Sequence, residues 1–139
     1  MQAKVKWTDG VQFVAESGSG HALVVDASPE AGGRNTGPRP MELLLMGLGA
    51  CSSYDVVSIL KKSRQNIIDC QASVEAERVD AVPAVFSKIH LHFVVTGKDL
   101  KPAQVERAVS LSAEKYCSAS IMLGKGGVEI THSHEVVEA

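Results

Sequence analysis

The chain has 139 residues, 45% of them hydrophobic and 22% charged, the balance of a globular protein long enough to bury a core. A formal net charge of −2 and an aromatic content of 4% exclude a basic nucleic-acid surface and a stacking platform for single strands. The N-terminus, Met1-Gln2-Ala3-Lys4-Val5-Lys6-Trp7, lacks the apolar run of a signal peptide, so the expected location is cytoplasmic.

In chain order, residues 2–8 and 11–17 alternate polar and apolar side chains around Asp9-Gly10, a two-residue hairpin turn. Ser17-Gly18-Ser19-Gly20 is a second turn, and His21-Ala22-Leu23-Val24-Val25 a third short strand. Residues 27–38, rich in Gly and Pro, predict a flexible loop. Pro40 suits the first position of a helix, which the apolar pattern carries to about Ser63. Lys61, Lys62 and Arg64 match the negative end of its dipole.

From Met41 to Ala50 nearly every residue is apolar, so this helix is expected to be covered on most sides. The apolar run before Cys51 is about ten residues, short of a bilayer span. Gly47 and Gly49 weaken a helix and predict that another backbone comes close. A small sheet and one more helix do not cover so apolar an element, and a dimer that shares these helices solves the problem.

Strands are expected over 67–79 and 85–96, separated by Asp80-Ala81-Val82-Pro83. In the second, alternation assigns Val85, Ser87, Ile89, Leu91, Phe93 and Val95 to the core face. Phe86, Lys88, His90, His92 and Val94 fall on the other face. A second helix runs from Lys101-Pro102 to Cys117, Ser118–Leu123 is a last turn or short third helix, and 128–137 is a final strand. The order is β-β-β-α-β-β-α-β without repeats or linkers, one α+β domain over 1–139 with mostly antiparallel strands.

Three cysteines, Cys51, Cys70 and Cys117, form no CxxC and no disulfide framework. Packed helix axes lie about 8–10 Å apart, while a disulfide needs Cα atoms about 4.4–6.8 Å apart. Helical cysteines therefore bond only among small neighbours. Cys51 follows Gly47, Gly49 and Ala50; Cys117 lies among Ala113, Ser118, Ala119 and Ser120. That pattern fits a Cys51–Cys117 pair and equally fits close packing of buried thiols acting as small hydrophobes.

Cys51 is too deep in its helix to gain from the dipole, so ionisation near neutral pH requires a cation. Arg39, Arg34 and His21 are the candidates, with solvated loop charges as the plain alternative. Asp55, one turn on, would oppose ionisation if it pointed the same way. Cys70 reads as structural. His90/His92 and His132/His134 each share a strand face; two adjacent pairs could complete a metal site, or simply face solvent. No P-loop or GxGxxG is present, and Gly18-Ser19-Gly20-His21 opens no helix that would make it a nucleotide cradle.

The order of elements, Pro40-Met41-Glu42-Leu43 with Gly49-Ala50-Cys51, and Glu114-Lys115-Tyr116-Cys117-Ser118 together resemble the OsmC/Ohr superfamily. Val11-Gln12-Phe13, Gly20-His21 and Asp55-Val56-Val57 point to its YhfA-like branch. The resemblance implies an intertwined homodimer whose sheets wrap long central helices. It also implies a peroxidatic thiol at Cys51, a resolving thiol at Cys117, an organic hydroperoxide substrate and a dithiol reductant, with no cofactor and no metal. Nucleic acid and membrane are not implied as partners. The family glutamate directly follows the helix-start proline; here that place is Met41, and the carboxylate is Glu42, about 100° further round the helix. The family arginine has no counterpart in residues 1–26, so Arg39, Arg34 or His21 must stand in.

Three functions follow from these readings. One is a thiol-dependent hydroperoxide reductase, with Leu44, Leu45 and Met122 as an apolar mouth. Another is an OsmC-like redox or ligand-binding protein without efficient turnover, favoured by the displaced Glu42. The last is a metal or small-ligand binder that uses the histidine strands.

Overall fold

The computed structural model describes residues 1–139, which divide into two compact units, Met1–Leu44 and Leu45–Ala139. The first holds the antiparallel meander β1 (Ala3–Asp9), β2 (Gln12–Ser17) and β3 (Ala22–Val25). Gly10 takes a φ of 55° in the first turn, a conformation that favours glycine, and Trp7 Nε1 donates to its carbonyl at 2.8 Å. The register puts Val5, Trp7, Phe13, Ala15, Leu23 and Val25 on one face. Of these Val25 is buried, while Val5, Trp7, Phe13 and Leu23 are exposed.

The Gly/Pro segment after β3 is tied down, contrary to its composition. Its organiser is the buried Asp26, whose carboxylate accepts from Thr36 Oγ1 at 2.6 Å and from the backbone N–H groups of Ala27, Arg34 and Thr36. Asp26 N–H in turn donates to Pro38 O at 3.1 Å. Gly33 and Gly37 pass so close to the carbonyls of Ala27 and Val24 that a Cβ would collide with them. A buried carboxylate with several acceptor positions supplies the order that the composition does not predict.

Helix α1 (Pro40–Lys62) begins in the first unit and continues into the second. Arg39 is its N-cap residue, its carbonyl accepting from Leu43 N at 3.1 Å. Glu42, three residues on, accepts from Arg39 N at 2.8 Å, the returning half of a capping box. Leu48, Gly49, Ser52, Val56 and Leu60 form its buried stripe. Gly49 faces Val74, whose Cγ2 would stand 3.1 Å from an added Cβ, while Gly47 faces open space. The close neighbour is thus a strand side chain at one of the two glycines, not a backbone at both. Taken whole, the helix is long and apolar enough to cross a membrane, with a window of mean hydropathy 1.7 that is 22% buried. The ten-residue apolar run before Cys51 understated it, because Val56 to Leu60 extend the apolar stretch.

In the second unit β4 (Asn66–Arg78), β5 (Phe86–Lys98) and β6 (Glu129–Glu138) form a sheet in that order. β4 and β5 are antiparallel, β5 and β6 parallel. A parallel neighbour needs a crossover, here α2 (Pro102–Leu111) and α3 (Ser118–Lys125). Ile89, Leu91, Phe93 and Val95 of β5 are buried, as are Val105, Ala108 and Val109 of α2.

Strict alternation fails at the start of β5. Glu77 pairs with Lys88 but Arg78 pairs with Phe86, so Ser87 is an extra residue and the phase shifts by one. Ser87 Oγ donates to Glu77 O at 3.2 Å across the bulge. Phe86 is consequently buried at 7% exposure and Val85 is 52% exposed, the reverse of the alternating pattern. The second helix is also interrupted: after Leu111 the chain makes a π turn over Ser112–Tyr116, and Cys117 lies outside any helix.

Candidate thiol site

Cys51 and Cys117 come from α1 and from the break before α3, and both are free thiols. Cys51 is partly accessible, whereas Cys117 is 0% exposed. The π turn explains how Cys117 gets there. It closes with Cys117 N–H donating to Ser112 O at 2.8 Å, and the wide turn lets Cys117 adopt extended dihedrals (φ −73°, ψ 103°). Cys117 is then the N-cap of α3, its Sγ accepting from Ser120 N at 3.4 Å. Ser52, next to Cys51, places its hydroxyl 3.1 Å from the same sulfur.

Burial pushes the Cys117 thiol above its ordinary value. The Ser52 hydroxyl and the Ser120 amide pull it back, and the adjoining Cys51 thiol raises it again. Cys117 is thus protonated at neutral pH and closed to solvent, while Cys51 is half-buried.

Sequence reading missed Ser52, Ser112 and Ser120, all buried and all bonded. Ser112 Oγ donates to Ser52 O at 3.2 Å and lies 3.3 Å from Asp55 Oδ2, so Asp55 is engaged with the π turn. The small residues beside Cys51 and Cys117 were the available signal, read there as room for a Cys51–Cys117 pair or for close packing, with no bonding role for the serines.

The loop cations are held within the first unit. Arg34 Nη1 is 3.0 Å from Asp9 Oδ2. Arg39 Nη1 donates to Asn35 Oδ1 at 2.6 Å and to Gly37 O at 3.2 Å, and its Nε lies 3.8 Å from Glu42 Oε1. Glu42 therefore does hold an arginine, that of its own helix cap. His21 is exposed in the β2–β3 turn, its Nδ1 3.2 Å from Ser19 Oγ. Leu44 and Met122 are exposed and Leu45 half-buried. Cys70 is half-buried, and burial followed by the neighbouring Asp69 charge pushes its thiol up, as suits a structural residue.

The histidine pairs do not converge. His90 and His92 stand opposite Thr131 and Ser133, whereas His132 and His134 stand opposite Leu91 and Phe93, on the other face of the sheet. His90 spans Thr131 Oγ1 (2.6 Å) and Ser133 Oγ (2.8 Å), and His92 joins Ser133 Oγ at 2.7 Å. No group of three or more His, Cys, Asp and Glu side chains is arranged to hold a metal ion. The metal reading of the four histidines is overturned, because parallel pairing offsets the two pairs by one residue.

The fold is an α+β frame with a long apolar helix, and it carries a half-buried Cys51 and a fully buried Cys117. The family model described as OsmC-like protein matches residues 33–133, and the chain belongs to that family. Protein YhfA of Escherichia coli strain K12 is 52% identical over 139 residues, all of both chains. The structure of a hypothetical protein from Aquifex aeolicus VF5 matches with a TM-score of 0.86 at 30% identity, covering 99% of this chain and 96% of that one. A Legionella pneumophila structure described as organic hydroperoxide resistance protein OsmC, a predicted redox protein, matches in fold with a TM-score of 0.73 at 22% identity, covering 96% and 95%.

Proposed function

We propose that this protein reduces organic hydroperoxides with a thiol reductant, Cys51 acting as nucleophile and Cys117 as resolving thiol. The observation that carries the reading is the asymmetry of the two cysteines: a half-buried Cys51 and a fully buried Cys117 whose sulfur lies 3.1 Å from the hydroxyl of Ser52, the residue after Cys51. The Cys51 thiolate attacks the distal hydroperoxide oxygen, the O–O bond breaks and the alcohol leaves. The sulfenic acid then condenses with the Cys117 thiol, releasing water and forming the disulfide. A dithiol returns two electrons and is itself oxidised to a cyclic disulfide. The family link and the hydroperoxide-resistance description of the Legionella protein support the substrate class. We place the protein in the cytoplasm as a homodimer, which would cover the exposed apolar residues of α1.

The test is intact mass after one equivalent of an organic hydroperoxide. The reading expects loss of two hydrogens, abolished by Cys51→Ser and by Cys117→Ser, with a sulfenic adduct trapped on Cys51 in the latter. No mass change in the wild-type protein would sink it.

A second reading rests on Arg34 and Arg39, whose guanidinium groups are already engaged by Asp9 and by Asn35, Gly37 and Glu42. An OsmC-like redox or ligand-binding protein without efficient turnover needs no cation beside Cys51. It expects a disulfide with diamide but none with stoichiometric hydroperoxide.

A further inference from the structure

We infer that Ser52 sets the direction in which the Cys51–Cys117 disulfide is opened: the reductant attacks Cys51 Sγ, and Cys117 departs as a thiolate held by the Ser52 hydroxyl and the Ser120 amide. The inference rests on the cysteine pair of the proposed function and adds to it a residue and a regiochemistry.

Access fixes which sulfur is attacked. Thiol–disulfide exchange needs an approach to the sulfur under attack. Cys117 is 0% exposed and Cys51 is not closed off. Attack at Cys51 forces the departing electron pair onto the buried sulfur, and a buried charge without hydrogen bonds is costly. Two donors stand ready. Ser52 Oγ is 3.1 Å and Ser120 N 3.4 Å from Cys117 Sγ. A thiolate has no proton to give, so once Cys117 carries the charge the Ser52 hydroxyl must be the donor. Hydrogen bonds to an ionised partner are about twice as strong as those to a neutral one. Both contacts therefore strengthen as charge develops on the sulfur, and that lowers the barrier to cleavage. A mid-helix serine commonly turns its hydroxyl back on its own helix; this one is aimed at the thiol instead.

The step balances. A reductant thiolate forms a bond to Cys51 Sγ, the Cys51–Cys117 bond breaks, and its electron pair leaves on Cys117 Sγ, which later takes up a proton. The second thiol of a dithiol reductant then displaces Cys51 from the mixed disulfide.

The test starts from full-length protein oxidised with diamide, so that its result does not depend on hydroperoxide turnover. The disulfide is challenged with the monothiol 2-mercaptoethanesulfonate, quenched in acid at successive times, capped with N-ethylmaleimide and mapped by peptide mass. The expected result is the adduct on Cys51 and the maleimide on Cys117. Ser52→Ala should slow cleavage by about tenfold in the folded protein, Ser52→Thr should recover most of the rate, and wild type and variants should react alike in denaturant. An adduct on Cys117, an even mixture, or a Ser52→Ala rate within twofold of wild type would overturn the inference. Should Ser52→Ala fail to fold, the wild-type regiochemistry and the Ser52→Thr rate decide the matter. Normal regiochemistry without hydroperoxide turnover would remove the peroxidase reading alone; no disulfide with diamide would remove both.

Discussion

Ser112 donates its hydroxyl to the backbone carbonyl of Ser52 at 3.2 Å, which fastens the π turn before Cys117 to the helix that carries Cys51. Ser112 is 1% exposed, so its hydroxyl has no water to fall back on. Ser112→Ala is expected to cost about 1 kcal/mol, the net worth of a typical buried hydrogen bond. Ser112→Val also adds volume to a packed site and should cost about 1–3 kcal/mol. Urea denaturation of the reduced protein measures both. Diamide oxidation of Ser112→Ala should also be slower than that of wild type. A variant as stable and as readily oxidised as wild type would show that the turn holds its shape without this bond.

The apolar surface of α1 gives the proposed dimer its own test. Met46 is 57% and Tyr54 73% exposed on a helix whose apolar window is 22% buried. An exposed apolar area of this kind marks an interaction surface, and a symmetric pairing is the common solution. Light scattering at micromolar concentration should find the wild-type protein as a dimer. Met46→Glu, which would place a charge in the contact, should shift it to monomer. A monomeric wild type, or a dimer indifferent to Met46→Glu, would rule out this use of the helix.

The bulge at Ser87 predicts opposite responses from adjacent residues. Phe86→Ala removes a buried ring and is expected to cost about 3 kcal/mol, whereas Val85→Ala should stay within about 0.5 kcal/mol. Chemical denaturation of the two variants separates the possibilities. Equal losses, or a larger loss at Val85, would mean that strict alternation holds after all.

These same residues show where reading from sequence succeeds and where it stops. Local rules carried the elements: Asp9-Gly10 made its hairpin, Pro40 opened α1, and Lys61 and Lys62 closed it. They failed wherever a single residue changes the phase. One extra residue at Ser87 exchanged Phe86 for Val85, and the π turn took Cys117 out of its expected helix. The parallel register of β6 lies outside local pattern altogether, so the histidine pairs could not be assigned to a face. At the candidate thiol site the small residues around Cys51 and Cys117 were legible as a hint of a pair. Ser52 and Ser112 were not, because a serine in an apolar helix looks like a neutral filler until its partner is known. Composition misled at residues 27–38, where one carboxylate, Asp26, supplies the order that Gly and Pro alone do not.

Asp26 is therefore expected to govern the acid response of the segment it ties down, residues 27–38. The Thr36 hydroxyl, then the Ala27 amide, holds its carboxyl well below the usual range, with further help from the amides of Thr36 and Arg34. The folded state favours the ionised form. The stabilisation is complete above about pH 4, where an unfolded aspartate is also ionised, and is lost as pH falls from there through the lower folded value. Amide exchange of Arg34 and Thr36 should stay protected from neutral pH down to about pH 4 and weaken below it. Asp26→Asn cannot ionise and has one acceptor oxygen in place of two. It is expected to show weaker protection at neutral pH and to lose the acid-dependent step. If Asp26→Asn keeps the wild-type acid profile, another group governs the acid sensitivity of this loop, and Asp26 is only a spectator of its fold.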